Sequence, residues 1–195
     1  MRFSKLLIPV MLVAGATVAA AQTPSYGNVG RTPSKVELQA WNISVGPDGK
    51  GLPAGSGSAK EGAAIFAKKC AVCHGASAQG GGIGTRLAGD KAALDTLTTL
   101  HPVKTPGSYW PYATTIWDYI NRAMPRNQAG SLTPNEVYSL TAFILFRSSI
   151  IQENEVMDAK SLPKVQMPNR NGFIPPKFED IPDERKRGCR EGVCP

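Results

Sequence analysis

The five residues from Cys70 to His74 constrain this chain more than any other segment, because they read Cys-Ala-Val-Cys-His. C-x-x-C-H is the spacing at which haem becomes covalently attached to protein. The two thiols add to the haem vinyl groups, and the histidine presents an imidazole to the iron. The motif therefore predicts one covalently bound haem c, attached through Cys70 and Cys73 and ligated by His74, and with it a redox function.

A C-x-x-C pair also occurs in zinc sites and in thioredoxin-like dithiols. A zinc site would need a second pair of ligands at suitable spacing. The remaining cysteines, Cys189 and Cys194, are remote, and no His-x-x-x-His accompanies them. Haem attachment is therefore the favoured interpretation of the motif.

The start of the chain has the pattern of a cleavable secretory signal. A short basic start with Arg2 and Lys5 precedes an apolar stretch over residues 6–20, and small residues lead up to Gln22. The apolar stretch is too short and too rich in alanine to favour a membrane anchor. We therefore predict a signal peptide over residues 1–21, a periplasmic location and no membrane-spanning segment.

Three zones follow the expected signal peptide. Residues 22–58 are rich in glycine and proline and predict an irregular N-terminal arm, in which residues 36–41 are expected to form a short turn or strand. Residues 59–151 carry the strong helical patterns and predict one compact domain. Residues 152–195 form a proline-rich extension, whose repeated prolines prevent a helix of useful length.

The middle zone predicts an all-α domain. Residues 59–69 contain good helix formers and lead into the haem motif, and residues 90–100 are a weaker helix candidate. The clearest helix begins after Thr133, because Thr133 and Glu136 match a capping box and a proline occupies the first helical position. Its body over residues 137–146 is almost wholly apolar, so it is expected to be buried.

A further helix is predicted over residues 114–123. Apolar side chains recur at i, i+4 and i+7 from Ile116, so this face is expected to pack against the haem. Asp118 and Arg122 lie on the other side and are expected to remain in contact with solvent. Met124 follows directly and precedes a proline.

An electron-transfer haem needs a second axial ligand, usually methionine or histidine. Met124 is the favoured ligand, because it ends a helix and lies in a loop closed by the next helix. The other candidates are His101, Met157 and Met167; we interpret the methionines as core residues and His101 as a loop residue. Ligation by His74 and Met124 closes both iron positions to substrate, so it predicts electron transfer rather than small-molecule activation.

Side chains near the expected iron ligands are candidates for contact with the haem propionates. An indole or guanidinium N–H group can donate to a propionate, which makes Trp110 and Arg86 the candidate residues. Plain packing against the porphyrin remains an alternative for Trp110 and for the aromatic residues around it. These neighbours are Tyr109, Tyr112 and Trp117.

The charge balance argues against nucleic-acid binding. The formal net charge is +7, and the basic residues are scattered along the chain, whereas nucleic-acid binding favours a concentrated patch. A modest basic excess suits docking on acidic redox partners. The candidate docking residues flank the two ligand segments: Lys68, Lys69, Arg122 and Arg126.

The last two cysteines are expected to form an intramolecular disulfide. Export would place Cys189 and Cys194 in an oxidising compartment, and Gly192 between them permits a turn. No histidine follows Cys194, so a second haem attachment of the usual kind is excluded.

Residues 58–146 resemble a class I cytochrome c domain. They hold Cys-Ala-Val-Cys-His-Gly early, Ala-Met-Pro around Met124 and Leu-Thr-Ala-Phe-Ile-Leu over residues 140–145. The resemblance implies an all-α class I cytochrome c domain with long irregular N- and C-terminal extensions. In that fold the first and last helices cross beside the haem edge. The residues that match this crossing are Gly62, Phe66, Leu140 and Phe143.

One departure from the class I pattern follows the haem motif. Such domains commonly carry a proline there, near the carbonyl that orients the axial histidine, whereas this chain has Gly-Ile-Gly-Thr-Arg-Leu over residues 82–87. A backbone carbonyl of this segment is expected to accept the Nδ1 proton of His74.

Three strings resemble the cytochrome subunits of sulfite dehydrogenase systems, including SoxD-type subunits. They cover residues 108–125, 136–142 and 162–173. The resemblance implies that the partner is a molybdopterin-containing dehydrogenase subunit of the sulfite oxidase family, and that electrons pass on to a downstream c-type cytochrome or oxidase. SoxD-type chains usually carry two haem domains, whereas this chain has a single C-x-x-C-H.

Two other functions stay open. One is a free-standing electron carrier for a different periplasmic dehydrogenase. The other is a haem enzyme or sensor with an open iron site, such as a peroxidase.

Overall fold

The computed structural model describes residues 29–175, except for residues 82 and 90. The expected signal peptide over residues 1–21 lies outside this range, as do Cys189 and Cys194 of the expected disulfide.

Helices dominate this part of the chain, which confirms the all-α expectation. The helices are α1 (Lys35–Trp41), α2 (Ala59–Lys69), α3 (Ala71–His74), α4 (Lys91–Asp95), α5 (Pro106–Tyr109), α6 (Ala113–Ala123) and α7 (Pro134–Arg147). Short 3₁₀ helices cover Thr96–Thr98 and Leu162–Lys164. The strands β1 (Ser56–Ser58) and β2 (Val156–Asp158) form an antiparallel pair. Within the described range, no helix is long and apolar enough to cross a membrane.

The described residues fall into two compact units, with the boundary between Ala40 and Trp41. The prediction of a short turn or strand at residues 36–41 is wrong, because these residues form all of α1 except its first residue. The reason is local: Ser34 N donates to Glu37 Oε2 at 2.8 Å, and Glu37 N donates back to Ser34 Oγ at 3.3 Å. Hydrogen bonds from Arg31, and then from Ser34, lower the pKa of Glu37 to about 2.

The second unit is built around the crossing of α2 and α7 that the resemblance implied. Gly62 of α2 lies so close to α7 that an added Cβ would overlap the carbonyl oxygen of Ser139 and reach Phe143 Cβ at 2.8 Å. The rings of Phe66 and Phe143 meet with their centroids 4.8 Å apart, and Leu140 is buried beside them. Glycine at position 62 is therefore required for this approach.

Both crossing helices begin with a capping box. In α7, Thr133 N donates to Glu136 Oε2 at 2.9 Å, and Glu136 N donates to Thr133 Oγ1 at 3.3 Å. Residues 137–145 that follow are all buried, as the apolar run predicts. Lys69 at the end of α2 pairs with Glu136 at 2.6 Å, and this hydrogen bond is the largest cause of the lowered pKa of Glu136.

Helix α6 differs from expectation at one residue. Ile116 and Ile120 are buried as predicted. Asp118 is also buried, so the prediction that it stays in contact with solvent is wrong. The cause is distant in sequence: Val45 N donates to Asp118 Oδ1 at 3.1 Å, which brings the segment after α1 over this side of the helix. Arg122 remains exposed and pairs with Asp118.

The weaker helix candidate over residues 90–100 is shorter than expected. Helix α4 ends at Asp95, and the chain continues in 3₁₀ form. Thr96 Oγ1 donates to Ala93 O at 2.7 Å and accepts a hydrogen bond from Val103 N at 2.8 Å. This hydroxyl therefore turns the chain where a longer helix would have continued.

The core continues beyond residue 151. Met157 of β2 pairs with Gly57 of β1, and Met157, Leu162 and Met167 are all buried in the same apolar cluster as α6 and α7. The prolines of this segment are compatible with burial because it packs through turns, the short strand β2 and a 3₁₀ helix that contains Pro163.

Candidate haem site

The haem motif occupies a single turn that follows α2. Cys70 ends α2, and the amide groups of Cys73 and His74 donate to Cys70 O at 3.1 and 3.0 Å. Cys70 and Cys73 are three residues apart on this turn, so both side chains lie on one side of it. Both are half-buried, whereas Val72 between them is 84% exposed.

The ring of His74 is oriented by the backbone. His74 Nδ1 lies 2.8 Å from Thr85 O, and a carbonyl oxygen can only accept, so Nδ1 carries the proton. This leaves Nε2 as the free donor for iron. Thr85 lies in the segment where a carbonyl partner was expected, although its exact position could not be read from the sequence.

Gly84 permits this arrangement. Its amide donates to Cys73 O at 3.0 Å, and an added Cβ would lie 2.7 Å from Cys73 O and 2.8 Å from His74 Nδ1. Sequence reasoning missed Gly84 and Thr85 individually, and the only available signal was the run of glycines that follows the motif.

Met124, the predicted second ligand, lies at the C-terminal cap of α6. Its amide donates to Ile120 O at 3.0 Å, its backbone is extended and it is half-buried at the edge of the core. Met157 and Met167 are each only 3% exposed inside the core. His101 is exposed on its loop.

These residues fit a haem. The donor set consists of two thiols, an imidazole with its Nδ1 already hydrogen-bonded, and a thioether, which matches the ligation of c-type haem. Partly buried apolar side chains that pack against the core are available to contact a porphyrin; they include Ile65, Cys70, Leu87, Trp110 and Met124.

Burial also affects the first cysteine of the motif. Burial raises the pKa of the Cys70 thiol to about 11. The positive charge of Lys69 lowers this pKa, and the neighbouring Cys73 raises it. The free thiol is therefore protonated at neutral pH.

Comparison with known proteins agrees with this geometry. Residues 57–144 match the family model of cytochrome c oxidase, cbb3-type, subunit III. A chain in the crystal structure of the sulfane dehydrogenase SoxCD from Paracoccus pantotrophus is 37% identical, with a TM-score of 0.73, over 85% of this chain and 83% of that chain. The chain belongs to the SoxD-like class I c-type cytochromes. No curated protein sequence gives a significant match.

Haem is therefore the cofactor of this SoxD-like cytochrome, and electron transfer is its role. Its similarity to the SoxCD chain covers 85% of the sequence, which is far more than residues 57–144. The similarity therefore includes parts of the extensions.

The predicted propionate contacts of this cytochrome remain predictions. Arg86 Nε donates to Ala88 O at 2.7 Å, so one N–H group of this guanidinium is already used. Trp110 is half-buried and packs edge-on against Tyr119, with ring centroids 5.6 Å apart. Trp117 is fully buried and packs against the ring of Tyr138 instead.

Two of the four candidate docking residues have acidic partners. Lys69 pairs with Glu136, and Arg122 pairs with Asp118. Lys68 and Arg126 are exposed and make no ion pair within the described residues.

The structure brings two of the SoxD-like strings together, which the sequence did not show. Asn169 Nδ2 donates to Tyr109 O at 2.7 Å, and the ring of Phe173 packs edge-on against Tyr109 with centroids 5.1 Å apart. Arg170 lies over the ring of Tyr112, with Cζ 5.2 Å from its centroid.

Proposed function

We propose that this cytochrome accepts electrons from a molybdopterin-containing dehydrogenase subunit that oxidises sulfite or a related sulfur compound. It passes them to a downstream c-type cytochrome or oxidase, and both steps take place in the periplasm. The proposal includes one haem, attached covalently through Cys70 and Cys73, with His74 and Met124 as axial ligands.

The observation that carries this proposal is the similarity to a chain of the sulfane dehydrogenase SoxCD, at 37% identity over most of both chains. A resemblance to class I cytochromes c in general would be confined to the haem domain. The coverage of 85% extends into the terminal segments, which a free carrier does not need for haem binding. This favours a subunit of a dehydrogenase over a free-standing carrier.

The residues of the site suit an electron carrier. Haem iron stores one electron in its ferrous state and releases it on return to the ferric state. The hydrogen bond to Thr85 O fixes the orientation of the His74 imidazole, which is the kind of support that limits movement of an axial ligand when the iron changes oxidation state. A thioether from Met124 would close the other axial position and raise the potential relative to a second imidazole.

Purification of the tagged full-length cytochrome from its source cells tests the proposal. We expect a molybdenum-containing protein to copurify, and sulfite or thiosulfate to reduce the haem of this complex. Copurification of a dehydrogenase without molybdenum, or isolation of the cytochrome alone in a form that another dehydrogenase reduces, would contradict it. Rapid binding of carbon monoxide or peroxide to the iron would instead indicate an open site.

A further inference from the structure

A group of aromatic and basic side chains lies where the C-terminal segment crosses the connection between α5 and α6. We call this group the aromatic–basic patch. Its members are Lys104, Tyr109, Tyr112, Arg170 and Phe173.

The cations of the patch are held by rings rather than by carboxylates. Lys104 Nζ lies 5.0 Å from the centroid of Tyr109, and Arg170 Cζ lies 5.2 Å from that of Tyr112. Neither cation makes an ion pair with an acidic residue of the described chain. Their positive charge is therefore available to an external partner, in contrast to that of Lys69 and Arg122.

The patch also combines charge with exposed apolar surface. Phe173 is 50% exposed, and the neighbouring Ile174 is 84% exposed. The ring contact between Phe173 and Tyr109 and the hydrogen bond from Asn169 to Tyr109 O hold the segment in place. Aromatic residues and arginine supply much of the binding energy at protein interfaces, particularly when they are ordered before binding.

We propose that the aromatic–basic patch is the surface on which the molybdenum dehydrogenase subunit docks. This rests on the proposed function and adds the location of the contact. From charge complementarity, we expect the docking surface of that subunit to present carboxylates opposite Lys104 and Arg170 and an apolar recess for Phe173. The docking site then lies on the C-terminal segment and the α5–α6 connection rather than on Lys68 and Arg126 beside the ligand segments.

The test uses tagged full-length holocytochrome, produced in the source cells as wild type and as a Lys104→Glu/Arg170→Glu variant. Molybdenum retained per haem after washing is the measurement. Charge reversal at an interface places like charges next to each other. We therefore expect the amount of molybdenum retained by the variant to fall by a factor of at least about ten. Lys164→Glu is the matched control, because Lys164 is exposed on the same C-terminal segment outside the patch, and we expect it to retain the wild-type amount.

The haem spectrum of each variant checks that it is folded. If Arg170→Glu fails to hold haem, Lys104→Glu alone carries the test, because Lys104 is exposed and makes no hydrogen bond within the described chain. Phe173→Ala should also lower retention without changing charge.

Three results would overturn the docking proposal. Retention by the patch variant equal to wild type would place the contact elsewhere and leave the dehydrogenase assignment intact. Loss of retention in Lys68→Glu/Arg126→Glu, with the patch variant unaffected, would locate the contact beside the ligand segments. Absence of molybdenum from the wild-type preparation would overturn the proposed function, and the assigned occupant with it.

Discussion

At the scale of single residues, the expected iron ligands differ in how they are held. His74 is oriented by a hydrogen bond to Thr85 O and by the close approach that Gly84 permits. Met124 is positioned by the end of α6 and by its contact with the edge of the core. Substitutions at Met124 are therefore expected to change ligation without detaching the haem.

Replacement of Met124 by alanine tests this assignment. We expect loss of the weak red charge-transfer band of ferric haem that reports a thioether ligand, and a lower reduction potential, because the thioether favours ferrous iron. Haem should remain covalently bound, as judged by intact mass. The matched control is Met167→Ala, which removes a buried methionine from the core and should keep the band. The reverse result would show that Met167 is the ligand.

At the scale of helices, the contact between α2 and α7 depends on the absence of a side chain at position 62. Gly62→Ala would force a methyl group against the backbone of Ser139. We expect a loss of about 1–3 kcal/mol in the free energy of unfolding, as for other overpacked sites. Denaturant titration of the holoprotein measures this. Lys60→Ala, on the exposed side of the same helix, should change stability by less than about 0.5 kcal/mol.

The ion pair between these helices predicts a pH dependence. The pKa of Glu136 is lowered in the folded protein, chiefly by the hydrogen bond from Lys69. A carboxyl group with a lowered pKa stabilises the fold above its unfolded pKa of about 4.3, and this contribution disappears as the pH falls through the folded value. The pair is partly exposed, with side-chain exposures of 39% and 25%, so it is screened by solvent.

Glu136→Gln separates this charge effect from the capping box, because glutamine also fits the N3 position. We expect the variant to be less stable than wild type by about 0.5–1 kcal/mol near neutral pH, and by nothing measurable in strong acid. Urea unfolding at several pH values measures the difference. A difference that is independent of pH would show that the charge of Glu136 contributes nothing and that packing or capping is responsible.

At the scale of the whole molecule, the C-terminal segment belongs to the packed core. Leu162 is fully buried in the cluster formed by α6 and α7. We expect Leu162→Ala to lower the free energy of unfolding by about 2–5 kcal/mol, because it leaves a cavity. Gln166→Ala, at an exposed position nearby, is the control. Equal stability of both variants would mean that the segment packs without stabilising the haem domain.

Electron transfer from the dehydrogenase is expected to slow as ionic strength rises. Lys104 of the aromatic–basic patch is exposed and makes no ion pair within the described residues. Exposed charges are screened beyond about 8–10 Å at moderate salt. Stopped-flow reduction of the cytochrome at increasing salt measures this. A rate that stays constant from low to high salt would favour a tightly held apolar interface.

The sequence by itself determined the features that depend on neighbouring residues. The haem motif, the capping box at Thr133 and Glu136, and the helix before Met124 could all be predicted, because each depends on spacing within a few residues. The helix at residues 36–41 also depends on a local signal, the capping pair of Ser34 and Glu37.

Only the tertiary structure decided the contacts between residues that are distant in sequence. In the folded chain, Thr85 O accepts a hydrogen bond from His74, Val45 N donates to the buried Asp118, and Asn169 donates to Tyr109 O. Periodicity shows which face of a helix is apolar, but not which loop covers its polar residues. These pairings depend on how the whole chain packs, so no local pattern in the sequence specifies them.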